Sequence, residues 1–194
     1  MLDDIYIRIK RIYSAIDALE ETDLDSFEPT VIREGNTIVI RQNFEGDLSE
    51  EELSNLAHLM IYNIANLYGH LKKWAARNNA KVSEVDKVFN SSREIKIIQD
   101  LSNNDKHGYP PRNGGHSGIS PKIEKFTRGL QFTSVSQEGF DSSGKPKFIG
   151  KGMAVVISGE ISDAKGQIIG NLHLIAKKAL EAWEVFVSNF GIKL

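Results

Sequence analysis

Residues 49–77 read SEEELSNLAHLMIYNIANLYGHLKKWAAR. Leu53, Leu56, Met60, Ile64, Leu67, Leu71 and Trp74 recur three and four apart, almost a heptad seam, which predicts one long helix packed lengthwise against a partner helix. Its start is encoded by Ser49 and Glu52, which fit a capping box in which each side chain satisfies the other residue's free backbone N–H; Asp47 is an alternative cap. A long helix with one apolar stripe calls for a bundle, and the flanking sequence supplies partners. Ile5, Ile9, Ile12, Ile16 and Leu19 predict a first helix over 3–21. A third helical region, 82–107, breaks near Asn90-Ser91-Ser92, where small polar side chains can cap a new start. A last helix over 171–190 is capped by Asn171, striped by Leu172, Ile175, Ala179, Trp183, Phe186 and Phe190, and stopped by Gly191.

The remaining sequence is β-rich. Residues 30–44 predict a short hairpin about Glu34-Gly35-Asn36, where Gly and Asn allow the positive φ of a tight turn. Runs at about 124–136, 147–162 and 166–170, separated by EGFDSSGKPK and by Asp163-Ala164-Lys165-Gly166, predict a small antiparallel meander. Gly150-Lys151-Gly152 lies within one of these runs as an expected bulge. Residues 108–121 are rich in Gly, Pro and Ser and form a loop of a length that is either functional or mobile. The expected fold is α+β, mainly α: a bundle of about four helices with a β-meander inserted before the C-terminal helix and a short N-terminal hairpin. It forms a single domain over 1–194, with the bundle in 1–108 and 171–194 and the insertion in about 122–170.

Composition narrows the function classes. The chain has 194 residues, 40% of them apolar, enough for a substantial core. A formal net charge of −2 among 26% charged residues leaves no whole-surface basic field, so contact with nucleic acid requires a local patch. The absence of cysteine excludes disulfides, thiolate metal sites and a cysteine nucleophile. The N-terminus lacks a signal-peptide pattern and no run approaches the roughly 20 apolar residues of a membrane span, so a soluble cytoplasmic protein is expected. Asn90-Ser91-Ser92 matches a glycosylation acceptor only formally.

The stretch DLSNNDKHG, residues 100–108, is the most chemically loaded in the chain. Arg93, Lys96, Asp100, Asn103 and His107 line one helix face, opposite Ile97, Ile98 and Leu101. That face is either solvated or the wall of a site, and paired Asn beside Asp costs helix propensity that Lys or Glu would not. Lys106, His107 and Gly108 also make an ordinary helix stop, with cations at the dipole's negative end. On the long helix, Asn55, His58, Tyr62, Asn66 and His70 form a second polar line, continued by Lys73 and Arg77. If the two lines face each other, Asp100, Asn103, Asn104, Lys106, His107 and His70 surround a polar binding pocket. The five histidines lack metal-binding spacings, so no metal and no cofactor is expected. No phosphate loop or nucleophile elbow is present, and Arg112-Asn113-Gly114-Gly115-His116 sits in the loop as a decoy.

The helical hairpin, with His70-Leu71-Lys72 on its first arm and residues 100–107 ending its second, resembles the HEPN-like helical domains, which are bundles often found as dimers. The resemblance covers about residues 49–108, with the final helix as a further member. Many members are metal-independent RNA endonucleases or nucleotide-binding partners in toxin–antitoxin and phage-defence systems. Nuclease members carry an arginine with four to six residues between it and a histidine, and counting back from His107 those places hold Ser102, Leu101 and Asp100. The resemblance therefore implies a homodimer that binds RNA or a nucleotide through the Asn103–His107 region and has lost cleavage. Two alternatives stand beside it: an active ribonuclease, with His107 as acid–base and Lys106, Arg93 or an arginine across a dimer interface as the cation, and a non-enzymatic interaction module.

Overall fold

The computed structural model describes the backbone of residues 2–17, 30–34, 37–41, 49–132, 136–140, 146–149 and 153–189, and the surroundings of the side chains of 5–12, 49–127 and 157–189. The expected 49–77 helix is α2, Glu50–Arg77, and it is the spine of the molecule. Its capping box is complete: Ser49 N donates to Glu52 Oε2 at 2.8 Å and Glu52 N donates to Ser49 Oγ at 3.2 Å. Glu50, Glu51 and Glu52 in the first turn and Arg77 in the last suit the helix dipole. At the far end the Asn78 amide donates to Trp74 O at 2.8 Å and closes the last turn.

The buried stripe of α2 runs through Leu53, Ala57, Met60, Ile61, Ile64, Leu67, Leu71, Trp74 and Ala75. Leu56, assigned to the seam from its spacing, is instead 38% exposed, and Ala57 takes its place. A strict seven-residue seam drifts about 20° per heptad on a straight helix, so over this length burial follows the 3.6-residue period and not the heptad.

Four further helices pack around this stripe. They are α1, Leu2–Asp17; α3, Val82–Ser91; α4, Arg93–His107; and α5, Leu172–Ser188. The break within 82–107 falls where the small polar residues stand: Ser92 ends α3, and its Oγ accepts from Ile95 N at 3.2 Å to start α4. In α1, Ile5, Ile9 and Ile12 are buried, whereas the expected extension through Leu19 lies outside the described residues. In α5 the Asn171 cap accepts from His173 N at 2.9 Å, and Leu172, Ile175, Ala179, Trp183 and Phe186 are buried; Phe190 and Gly191 lie outside the described residues.

A polar clamp joins α2 to α3. Tyr68 Oη donates to Asp86 Oδ1 at 2.6 Å and Lys72 Nζ donates to the same oxygen at 2.9 Å, while the Tyr68 ring stacks on Phe89 with centroids 4.3 Å apart. The hydrogen bonds from Tyr68 and Lys72 hold the Asp86 carboxyl below its usual range, and the bond to Asp86 raises both Tyr68 and Lys72.

The sheet is antiparallel, in the order β3-β6-β7, with β3 at Lys122–Phe132, β6 at Met153–Ser162 and β7 at Ile168–Asn171. The run expected at 147–162 is two strands: β5, Pro146–Ile149, pairs with β4, Ser136–Phe140, and β6 begins only at Met153. The N-terminal hairpin joins β1, Thr30–Glu34, to β2, Thr37–Arg41, with Glu34 opposite Thr37. The expected bulge at Gly150–Gly152 lies outside the described residues. Ile157 and Ile161 of β6 face the bundle and are buried. Asn171 Nδ2 also donates to Ser158 Oγ at 2.5 Å, so one residue ends β7, caps α5 and ties both to β6. The molecule is α+β and mainly helical, with its core among α1, α2, α4, α5 and the inner face of β6. No helix among the described residues is long and apolar enough to cross a membrane.

Two outcomes follow for stability. Trp183→Ala removes a side chain with no exposure and is expected to cost about 3–5 kcal/mol in urea unfolding. The Asp86 carboxyl is lowered on folding, so its contribution is present above the ordinary carboxylate range and fades as pH falls through its folded value. Tyr68 and Lys72 are raised, so their contributions are present below the ordinary phenol and ammonium ranges and fade as pH rises through their folded values. Urea midpoints measured across pH should fall at both ends, and Asp86→Asn should flatten the acid limb.

Candidate functional site

The face of α4 expected to line a pocket has a different task at its centre. Asp100 is 1% exposed, and both carboxylate oxygens are occupied: Oδ1 accepts from His116 N and Oδ2 from Ser117 N, each at 2.7 Å. A carboxylate buried this deeply is tolerable because two backbone N–H groups take the place of water. The 108–121 loop is therefore held against α4 at its middle. Further bonds hold it: Asn104 Nδ2 donates to Pro121 O at 2.7 Å, Tyr109 Oη to Ser120 O at 3.3 Å, and Ala164 N to Ile119 O at 3.1 Å. The His116 ring meets Phe89 edge-on, with centroids 5.4 Å apart.

Gly115 has φ +75°, and a Cβ there would stand 2.5 Å from the Asp100 carboxylate. The glycine pair at 114–115 thus lets the backbone close on Asp100. That pair, within the loop that follows α4, was the signal for the contact, and it was set aside as part of a decoy.

The other expected site residues scatter. Asn103 accepts from Gln99 Nε2 at 3.3 Å. The Asn104 amide is spent on Pro121, and its Oδ1 is buried with no donor among the described residues, an arrangement that costs about 1–3 kcal/mol. Lys106 lies over the Tyr62 ring at 4.8 Å, and His107, the last residue of α4, is exposed with no hydrogen bond among the described residues. His70 does not join them. The polar line of α2 divides: His58 and Tyr62 face the end of α4, with His58 Nε2 3.8 Å from Asp105 Oδ1, whereas Asn66 and His70 face α1. Four-residue steps advance about 40° each, which puts His70 about 120° around the helix from His58.

Against α1, His70 is part of a groove of about 150 Å³ lined by Arg8, Arg11, Ile12, Asn63, Asn66, Leu67 and His70. Arg8 Nη1 lies 3.3 Å from His70 Nε2. A guanidinium only donates, so Nε2 is the acceptor of this contact. No carboxylate lines the groove among the described residues. Arg8, Arg11 and Asn63 were not singled out from sequence; the three-residue spacing of Arg8 and Arg11 on a helix with buried Ile5, Ile9 and Ile12 was the available sign. Among the described residues no group of three or more His, Asp or Glu side chains is placed to hold a metal ion.

Comparison with known proteins adds no relative: no family model, no curated protein and no solved structure matches the chain.

Asp100→Ala should release the loop. The expected result is loss of hydrogen-exchange protection at the His116 and Ser117 amides with a stability loss of roughly 1–3 kcal/mol. Gly115→Ala should reproduce the exchange pattern by displacing the same carboxylate; retained protection in both variants would remove Asp100 as the anchor.

Proposed function

We propose that the chain binds the phosphate of an RNA or a nucleotide in the α1–α2 groove at His70, as a HEPN-like protein that does not cleave. One observation carries the reading: two guanidinium groups, two amides and an imidazole converge on one groove between α1 and α2. Arginine presents paired N–H donors that match phosphate oxygens, and a groove with apolar Ile12 and Leu67 at its base strengthens such bonds by excluding water. Exposed Lys73 and Arg77 continue the α2 line beyond His70, a short basic track on a chain whose net charge is close to neutral.

The site expected at Asn103–His107 is replaced in this reading, because Asp100 and Asn104 are committed to the loop and His107 stands alone in solvent. The helical hairpin resembling HEPN-like domains and the homodimer that such a resemblance implies belong to the same proposal. Cleavage is left out of it, since no arginine precedes His107 in α4 at the nuclease spacing.

Fluorescence anisotropy with a single-stranded RNA oligonucleotide tests it. Arg11→Ala and His70→Ala, each confirmed as folded by circular dichroism, should weaken binding about tenfold, since a bond to a charged group is worth about 1.5–3 kcal/mol. Loss of one phosphate contact in Arg11→Ala should also reduce the slope of log affinity against log salt by about 0.7. Unchanged affinity and slope in both variants would overturn the site, and RNA cleavage abolished by His107→Ala would restore the ribonuclease alternative.

A further inference from the structure

A second cleft lies where α2, α4 and β3 meet, on the far side of α2 from the groove. Ile61 and Leu101, both buried, form its base, Ile123 and Phe126 its wall, and His58, Asp105, Tyr109 and Lys122 its rim. It encloses about 190 Å³. The charges at the rim are unequal. Lys122 is committed to Glu124, with Nζ 2.5 Å from Oε1. Asp105 has one cationic neighbour within ion-pair distance among the described residues, His58 at 3.8 Å, which is charged only when protonated. His58 is otherwise engaged with Ser54 Oγ, 3.4 Å from Nδ1, and its ring meets Phe126 edge-on at 5.1 Å.

The cleft thus joins an apolar base, an aromatic wall and a carboxylate without a permanent countercharge among the described residues. We propose that it binds a small organic cation: a primary amine carried on one aromatic ring, with the ring against Phe126 and Ile123 and the ammonium on Asp105. The size agrees, since an apolar cavity of about 150 Å³ admits a single benzene ring. The chemistry agrees as well, because an ammonium gains from a carboxylate and from the faces of Phe and Tyr rings together. An aromatic carboxylate would meet Asp105 with like charge, and Lys122 is already neutralised by Glu124. The inference stands apart from the phosphate-binding proposal and shares no residue with it.

The test is binding of phenethylamine and of phenylacetate to the full chain, followed by amide chemical-shift changes. Phenethylamine is expected to bind, with shifts concentrated at residues 101–109 and 122–126, and phenylacetate to leave them unmoved. Asp105→Asn keeps the shape and removes the charge, and should weaken the amine roughly tenfold; Phe126→Leu should weaken it with Asp105 intact. Equal binding of amine and acid, an affinity indifferent to Asp105→Asn, or no shifts with the amine would each overturn the proposal.

Discussion

Asp100 accepts two backbone N–H groups from inside the protein, and much of the architecture depends on that contact. It sits on a buried turn of α4 between Ile97, Ile98 and Leu101, so the carboxylate has no water to turn to. Closing His116 and Ser117 onto it bends residues 108–121 back along α4. Asn104, one helical turn later, then receives the end of the loop at Pro121, from which β3 departs. Two side chains of one helix face therefore decide where the sheet begins, and Ala164 N bonding to Ile119 O couples the β6–β7 turn to the same loop.

The arrangement also explains why the polar line of α2 serves two separate clefts among the described residues. The pinned loop covers the middle of the α4 face that faces outward from the apolar stripe, leaving only its end open beside His58. On α2, polar residues spaced by four wind steadily around the helix, so that one line of side chains serves two surfaces. Its N-terminal half meets α4 and β3; its C-terminal half meets α1. Opposite chemistry collects at the two places, guanidinium and amide donors in the groove against α1 and a carboxylate over an aromatic wall beside β3.

Local rules were legible wherever the chain's own neighbours decide the outcome. The Ser49–Glu52 box, the Ser92 start of α4 and the Asn171 cap all hold as expected, because each depends on residues two or three positions away. The apolar stripes of α2 and α5 were equally legible, apart from Leu56, where a heptad period was imposed on a 3.6-residue helix. What escaped was long-range. Nothing near Asp100 in sequence says that its partners are the amides of residues 116 and 117, and a backbone N–H is a ligand that every residue carries. The site suffered for the same reason: spacing put Asp100, Asn103 and His107 on one face without showing that a loop lies over it, and His70 faced α1, a helix far earlier in the chain than the 100–108 stretch that had drawn attention. His70 was found from its residue type, whereas Arg8 and Arg11 carried only their three-residue spacing as a sign, and packing against α2 gave it meaning.

The account's central claim is that anion-binding capacity resides in the α1–α2 groove and not at the end of α4. Titrating the labelled protein with inorganic phosphate while following backbone and arginine side-chain resonances tests it most directly. The account predicts saturable changes at Arg8, Arg11, Asn66 and His70, with the Lys106 and His107 signals unmoved. Changes centred on Lys106 and His107, or none at the groove, would contradict it.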